Sequence, residues 1–511
     1  MDVHRCVGIA PAQYRIRLIG WLILFHFPFY AFAARKQRNL EQWGGMRLYA
    51  AHLDFDSIAE EFNIPTDFDD AVTEAAAQAR DRFPSTRTDM RDLPLVTIDP
   101  QGSMDLDQAV FIDKPSVGAG YIVYYAIADV AAFLEPGGVI EEESLRRGRT
   151  IYLPDEPARL HPAELSEGEA SLLPDVDRPA VVWTFHLDAS GEVNSFHVER
   201  ALVRSRARLD YDQAHQDLIS GELYSSIALL PEVGKLRQAS SLRRHAISLR
   251  LPSQRVVEGD DGQFELVIEP RHEIMDYNSE ISLLTGMCAG QLMAEHGVGF
   301  LRTLPAATEE SEQAFLQGVA ALGHEVGEQS ISEFLLSINA DDPRGMAAMR
   351  LAQKLLRGAD YVWLGDDDAE IHAGIGGYYA HVTAPLRRLV DRFASEVCLA
   401  LCAGEEIPAW VTDKADEVIA TMRRTSQLAS QVDRAVLNWV EAKVLQPWVG
   451  HNFEAIVLSR DEEKDTASVF VADPPVLADV IGAPPQGKSV KVSLITADPD
   501  KCEVKFAWPA D

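Results

Sequence analysis

The stretch "TIDPQGSMDLDQAVFI", from Thr97 to Ile112, sets Asp99, Asp105 and Asp107 within nine residues, between runs that read as buried strands. Three carboxylates this close repel one another, and burial makes the repulsion worse. Two folded outcomes satisfy that constraint: a solvated acidic loop, or a cluster neutralised by a divalent cation. Mg²⁺ suits the second, because it is a hard cation that takes carboxylate oxygens and keeps waters for substrate phosphates. Asp105 and Asp107 are two apart, so on extended backbone they face one side, with Leu106 opposite. Asp99 ends the preceding strand and can close the site from there. Acidic loops are common in so acidic a chain, and the pattern alone leaves both readings standing.

The acidity is a property of the whole chain. A net charge of −32 over 511 residues argues against non-specific adhesion to nucleic acid or anionic membrane. A polyanionic substrate stays compatible with it if a local cationic channel holds that substrate. Hydrophobic content of 47% and charged content of 25% are those of globular protein, at a length that accommodates more than one domain. The cysteines, Cys6, Cys288, Cys398, Cys402 and Cys502, are odd in number and form no CxxC pair, which speaks against a disulfide framework or a zinc site. Cys398 and Cys402 read as buried thiols on one helix face. A cytoplasmic protein is expected.

Residues 1–45 are read separately. The apolar run Leu18–Ala34 follows Arg15 and Arg17 and contains Ala31-Phe32-Ala33, in the manner of a secretory signal. It also contains His26 and Pro28 and is short for a membrane span. The preferred alternative is a translation start at Met46. The expected class is α+β: a helical region over 46–92, a catalytic domain over 93–445, and a small C-terminal β-barrel of the OB type over 446–511. Short runs rich in Val, Ile and Tyr mark strands from Leu93 onward, and helical spacing dominates from about Glu273. "VTAPLRRLVDRFASEVCLALCAG" reads as a helix opening just after Pro385 and closing on Gly404. Alternating strands return after Val449.

"TIDPQGSMDLDQA" resembles the signature of the RNB domain, the catalytic domain of ribonuclease II and ribonuclease R. Further blocks are similar to the same family in the same order. They are "RGRTIYLPDEPARLHPAELSEGEASLLPDVDRPAVVW" (Arg147 to Trp183), "VRSRARLDYDQA" (Val203 to Ala214), "SEISLLTGMCAGQL" (Ser279 to Leu292) and "HAGIGGYYAHVTAPLRRLVDRF" (His372 to Phe393). The resemblance implies a 3′→5′ exoribonuclease that hydrolyses single-stranded RNA to nucleoside 5′-monophosphates, with the C-terminal barrel of S1 type. It places Asp99, Asp105 and Asp107 on three of the family's four acidic residues, with Asp107 at the central catalytic one. The fourth, an Asp in the family, is Gln108 here, whose carbonyl oxygen can still ligate a cation. The implied cofactor is Mg²⁺, with Mn²⁺ as the alternative. Arg387 is implied to contact the scissile phosphate, where a guanidinium opposes charge developing in the transition state.

Arg388, Tyr379, His381 and Thr383 lie beside Arg387 and are expected to position RNA. Glu280 matches a family acidic residue. Arg204, Arg206 and Arg208 alternate, and on one strand they would make a cationic stripe for a phosphate backbone. For each of these, an ordinary solvated or packed side chain is the competing reading. The family's usual N-terminal cold-shock barrels have no room ahead of Leu93. The chain is expected to act as a monomer on single-stranded RNA, with no obligate protein partner and no membrane. Two rival functions remain: an RNA-binding protein on a weakened nuclease fold, and a metal-dependent phosphohydrolase of short oligonucleotides.

Overall fold

The computed structural model describes residues 49–50 and 55–509, apart from 154–155, 244, 248, 251–252, 259–263, 270, 340–341, 366–369 and 473–474. The signal-like run Leu18–Ala34 and Met46 lie outside the described residues. Among the described residues seven strands lie between Thr88 and Asp210: β1 (Thr88–Asp89), β2 (Thr97–Asp99), β3 (Gln108–Asp113), β4 (Tyr121–Ala128), β5 (Asp177–Leu187), β6 (Val193–Arg204) and β7 (Arg208–Asp210). Five of them form one sheet in the order β1-β6-β5-β4-β3, antiparallel except at the β1–β6 edge. The other two, β2 and β7, pair in parallel, with Asp99 opposite Asp210.

These strands read as continuously apolar because both faces of the sheet are covered. Along each strand alternate residues go to opposite layers. Val110, Ile112, Val123, Tyr125, Ile127, Val181 and Trp183 enter a large helical core. Ala109, Ala126, Ala128, Ala180 and Val182 pack against a second layer, with Leu134 and Leu172. The helical core is supplied by α1 (Glu273–His296), which stops at Gly297 in the left-handed conformation, and by α2 (Leu389–Ala403). Helix α3 (Ala415–Leu445) buries Val418 and Met422 in this core. About three turns further on, Val432, Val436, Val440 and Val444 enter a different core, shared with the C-terminal domain. One helix thus joins the two hydrophobic cores.

The C-terminal domain is a closed barrel of five strands, Asn452–Asp461, Thr466–Ala472, Pro475–Ile481, Ser489–Asp498 and Glu503–Ala507. Phe453 and Phe506 are buried in its interior with Trp508 half-buried against the same core, whereas Phe470 faces out of the barrel and is buried against the helical layer of Phe315 and Phe334. These three phenylalanines are therefore packing residues and offer no surface for base stacking. Among the described residues no helix is long and apolar enough to cross a membrane.

Glu441 on α3 is buried near Arg350, and burial pushes its carboxyl up to about 8, with the Arg350 charge opposing. A carboxyl whose folded pKa is raised contributes stability that is complete below its unfolded value and lost as pH rises through the folded one. Raising the pH from about 6 to about 9 is therefore expected to destabilise the parent relative to Glu441→Gln. Thermal melts of the two across that range check this; parallel pH curves would refute it.

Candidate active site

Asp107 leads into β3 and Asp99 ends β2. Leu106, between the two later aspartates, is fully buried and held on both sides of its peptide: its N–H donates to Ser171 Oγ (3.0 Å) and its carbonyl accepts from Leu172 N (3.0 Å). That anchor turns Asp105 and Asp107 to the other side, as their spacing requires. The cluster is not a solvated loop. Asp107 is 4% exposed, and burial is the chief reason all three carboxyls rise above their ordinary range. Asp99 is pushed up to about 7 by burial and by the charge of Asp105, with Arg387 and Arg208 opposing. Asp105 is pushed up to about 6 by burial, again against Arg387.

The arginine side of the site comes from a segment without regular structure that precedes α2. The helix opens at Leu389 rather than just after Pro385, because the preceding backbone donors are already committed. Leu386 N donates to Asp107 Oδ1 (2.8 Å) and Ala384 N to Asp391 Oδ1 (2.7 Å). Thr150 N donates to the Arg387 carbonyl (3.0 Å) and Leu389 N to the Gly148 carbonyl (3.0 Å), so residues 148–150 run antiparallel to 387–389 and set Arg149 opposite Arg388. Arg387 Nε lies 3.3 Å from Asp107 Oδ2, while its buried Nη1 has no hydrogen-bond partner. Arg388 does pair with Asp391, but in the interior (2.5 Å) and not on a solvated helix face.

A cavity of about 140 Å³ opens beside Arg387, lined by Arg149, Arg302 and Arg388 with Tyr361, Tyr379, His372, His381 and Thr383. The Tyr361 hydroxyl lies 2.8 Å from His381 Nδ1. Burial, then the Arg388 charge, pushes His381 well below its ordinary value; burial, then Arg302, brings His372 to about 4. Both imidazoles are neutral near pH 7, so the positive charge of the cavity comes from arginine. Inside an acidic protein this is a local cationic chamber.

Two glycines of α1 allow the segment to lie this close. A Cβ at Gly290 would fall 2.5 Å from Tyr379 N, and one at Gly286 would collide with the Tyr379 ring. Gly290→Ala is expected to push the 378–380 backbone off the helix and lower activity at least about tenfold, a shift of 1.4 kcal/mol in the barrier. An alanine variant with unchanged turnover would show that the contact does not matter.

The structure engages several of the other expected residues with partners within the protein. Arg204, Arg206 and Arg208 do not make one stripe, because β6 ends at Arg204 and β7 starts at Arg208. Arg204 is paired with Asp177 (2.7 Å), and Arg206 donates to the Arg91 carbonyl (2.6 Å). Arg208 donates to the Ser103 carbonyl (3.0 Å), and its charge acts on Asp99. Glu280 is buried on α1. Gln108 uses both ends of its amide within the protein: Nε2 donates to the Thr383 carbonyl (2.7 Å) and Oε1 accepts from the Tyr125 hydroxyl (2.5 Å). Arg149, Arg302 and Tyr361 were not legible as site residues. Their elements are far apart in sequence; the pairing of 149 with 388, of Arg302 N with the Tyr379 carbonyl (2.8 Å), and of Arg302 with Tyr361 across two antiparallel strands brings them together.

Among the described residues no three His, Cys, Asp or Glu side chains converge closely enough to hold a metal ion as they stand. The donor set nevertheless fits a hard divalent cation bound through two carboxylates. Asp99 Oδ2 is buried without a hydrogen-bond partner, and Asp105 is close enough to raise its pKa. Mg²⁺ commonly takes one or two protein carboxylates and completes its shell with water and substrate phosphate.

The RNB domain family matches residues 87–400, and the RNase II-type exonuclease C-terminal S1 domain matches residues 451–508. Ribonuclease R of Vibrio parahaemolyticus is 27% identical over 77% of this chain and 50% of its own length. The chain spans about half the length of the curated relatives it matches. Mycoplasma genitalium RNase R, solved with ribose-methylated single-stranded RNA, has the same fold: TM-score 0.79 at 18% identity, over 89% of this chain and 77% of that one. Yeast Ssd1, described as a pseudonuclease, also shares it, with TM-score 0.61 at 16% identity over 86% of this chain and 56% of its own. With a buried aspartate cluster facing an arginine segment, and with matches covering more than half of its length, the chain belongs to the RNB family and carries an S1-type C-terminal barrel.

Proposed function

We propose that the protein is a divalent-metal-dependent 3′→5′ exoribonuclease that degrades single-stranded RNA to nucleoside 5′-monophosphates. The observation that carries this reading is the contact between Asp107 and the 386–387 segment, which sets a guanidinium against a buried carboxylate cluster. Asp99 and Asp105 are the residues that would hold the cation, whose chemistry is charge neutralisation at the phosphate and activation of the attacking water. Arg387, whose Nη1 has no hydrogen-bond partner, would grip a phosphate oxygen and oppose charge developing in line. Asp107 aims it: one carboxylate oxygen fixes the backbone at Leu386 and the other orients the guanidinium. Arg149, Arg302 and Arg388 supply the field that draws a polyanion into the chamber. Tyr361 and Tyr379 line its wall, with the Tyr361 hydroxyl held by His381.

The test is a timed digestion of a 5′-labelled RNA oligomer with Mg²⁺, with Mn²⁺ and with chelator. A ladder that shortens from the 3′ end and stops with chelator is expected. The weakened-nuclease reading draws on Gln108 and predicts RNA binding without mononucleotide release under every metal condition. Turnover that does not rise with chain length would favour an oligonucleotide phosphohydrolase.

A further inference from the structure

We propose that Gln108 is a positioning residue that locks the arginine segment against the carboxylate cluster, and not a metal ligand. Adjacent residues, Asp107 and Gln108, grip the same segment in opposite senses. Asp107 accepts from Leu386 N, and Gln108 donates to the Thr383 carbonyl three residues earlier. The grip continues outward on both sides. Tyr125, one strand over on β4, donates its hydroxyl to Gln108 Oε1, and the Thr383 hydroxyl lies 2.9 Å from Ser282 Oγ on α1. Gln108 therefore ties sheet, arginine segment and α1 together at one point.

Only an amide of this length does both jobs. A carboxylate can accept from Tyr125 but has no hydrogen to give the Thr383 carbonyl. It would also add a fourth negative charge beside three carboxyls whose pKa values are already raised. With Oε1 aimed at Tyr125 and Nε2 at Thr383, the side chain has spent its direction on the protein. Asp99 shows the contrast, since its buried Oδ2 has no hydrogen-bond partner. In this chain the glutamine exchanges a possible ligand for a fixed position of Arg387.

This inference rests on the proposed nuclease function only where turnover is read, and a second readout is independent of it. Parent, Gln108→Met, Gln108→Asp and Tyr125→Phe are compared by Mn²⁺ binding, followed as loss of the free-ion paramagnetic resonance signal, and by RNA hydrolysis. Asp99→Asn is carried as the control that weakens Mn²⁺. Expected are Mn²⁺ dissociation constants within about threefold of the parent for the Met and Phe variants, and no tighter binding in Gln108→Asp. Turnover should fall at least about tenfold in the Met and Asp variants, in kcat with KM nearly unchanged, and less in Tyr125→Phe. A merely structural loss would lower the melting temperature without that split between kcat and KM. Mn²⁺ weakened tenfold in Gln108→Met, tightened in Gln108→Asp, or full turnover in Gln108→Met each overturns the proposal. A parent that hydrolyses no RNA overturns the functional reading alone, since the Mn²⁺ series still decides whether Gln108 is a ligand. If Gln108→Met does not fold, Tyr125→Phe carries the same test from the other end of the hydrogen bond.

Discussion

Asp107→Asn is expected to abolish RNA hydrolysis, lowering turnover at least about 10³-fold, the upper end of what one lost electrostatic partner costs at a reacting centre. The asparagine carbonyl can still accept from Leu386 N, so the segment keeps its place. Its amide nitrogen, however, now faces Arg387 Nε, a donor against a donor, where a carboxylate stood 3.3 Å away. The guanidinium loses its orientation, and the cluster loses its one fully buried carboxylate. RNA affinity should stay within about threefold of the parent, because the variant removes a negative charge from the phosphate path. Single-turnover hydrolysis measured beside an RNA-binding titration separates the two effects. The proposed role for Asp107 is falsified if the variant degrades RNA at the parent rate.

Arg387→Lys should cost about 10²-fold in kcat despite keeping the charge. The guanidinium is planar, and can satisfy Asp107 through Nε while offering Nη1 to a phosphate oxygen; an ammonium is a point charge that serves one partner at a time. Arg387→Ala should cost more, because the Arg387 charge opposes the burial that raises the Asp99, Asp105 and Asp107 pKa values. Without it all three move further up, and ionising the cluster requires a higher pH. The pH–rate profile of Arg387→Ala is therefore expected to shift its acidic limb upward relative to Arg387→Lys. Coincident limbs for the two variants would remove the electrostatic part of this account.

The chamber gives an acidic protein the local cationic volume that the proposed action on a polyanion requires. Four arginines line a small volume, while the two neutral histidines there add no charge. The barrel contributes differently from the reading that its aromatic residues invite. Phe453 and Phe506 are spent on its own core, Phe470 on the helical layer beside it, and α3 joins the barrel core to the helical core.

By itself the sequence determined the local periodicities and the clusters that lie within a few residues. The two-residue spacing of Asp105 and Asp107 put them on one side with Leu106 opposite, and the apolar runs of β3, β4 and β5 marked strands, though not that both faces of their sheet are covered. Tertiary structure decided what spans the chain. It paired residues 148–150 with 387–389, set Gln108 on the Thr383 carbonyl 275 residues away, and separated Arg204, Arg206 and Arg208 to different tasks. The physical reason is directional satisfaction. Period and burial are properties of neighbouring residues, whereas each buried donor and acceptor must find a partner in space. Which partner it finds, and so whether Gln108 holds a cation or a backbone, is fixed only when distant segments pack.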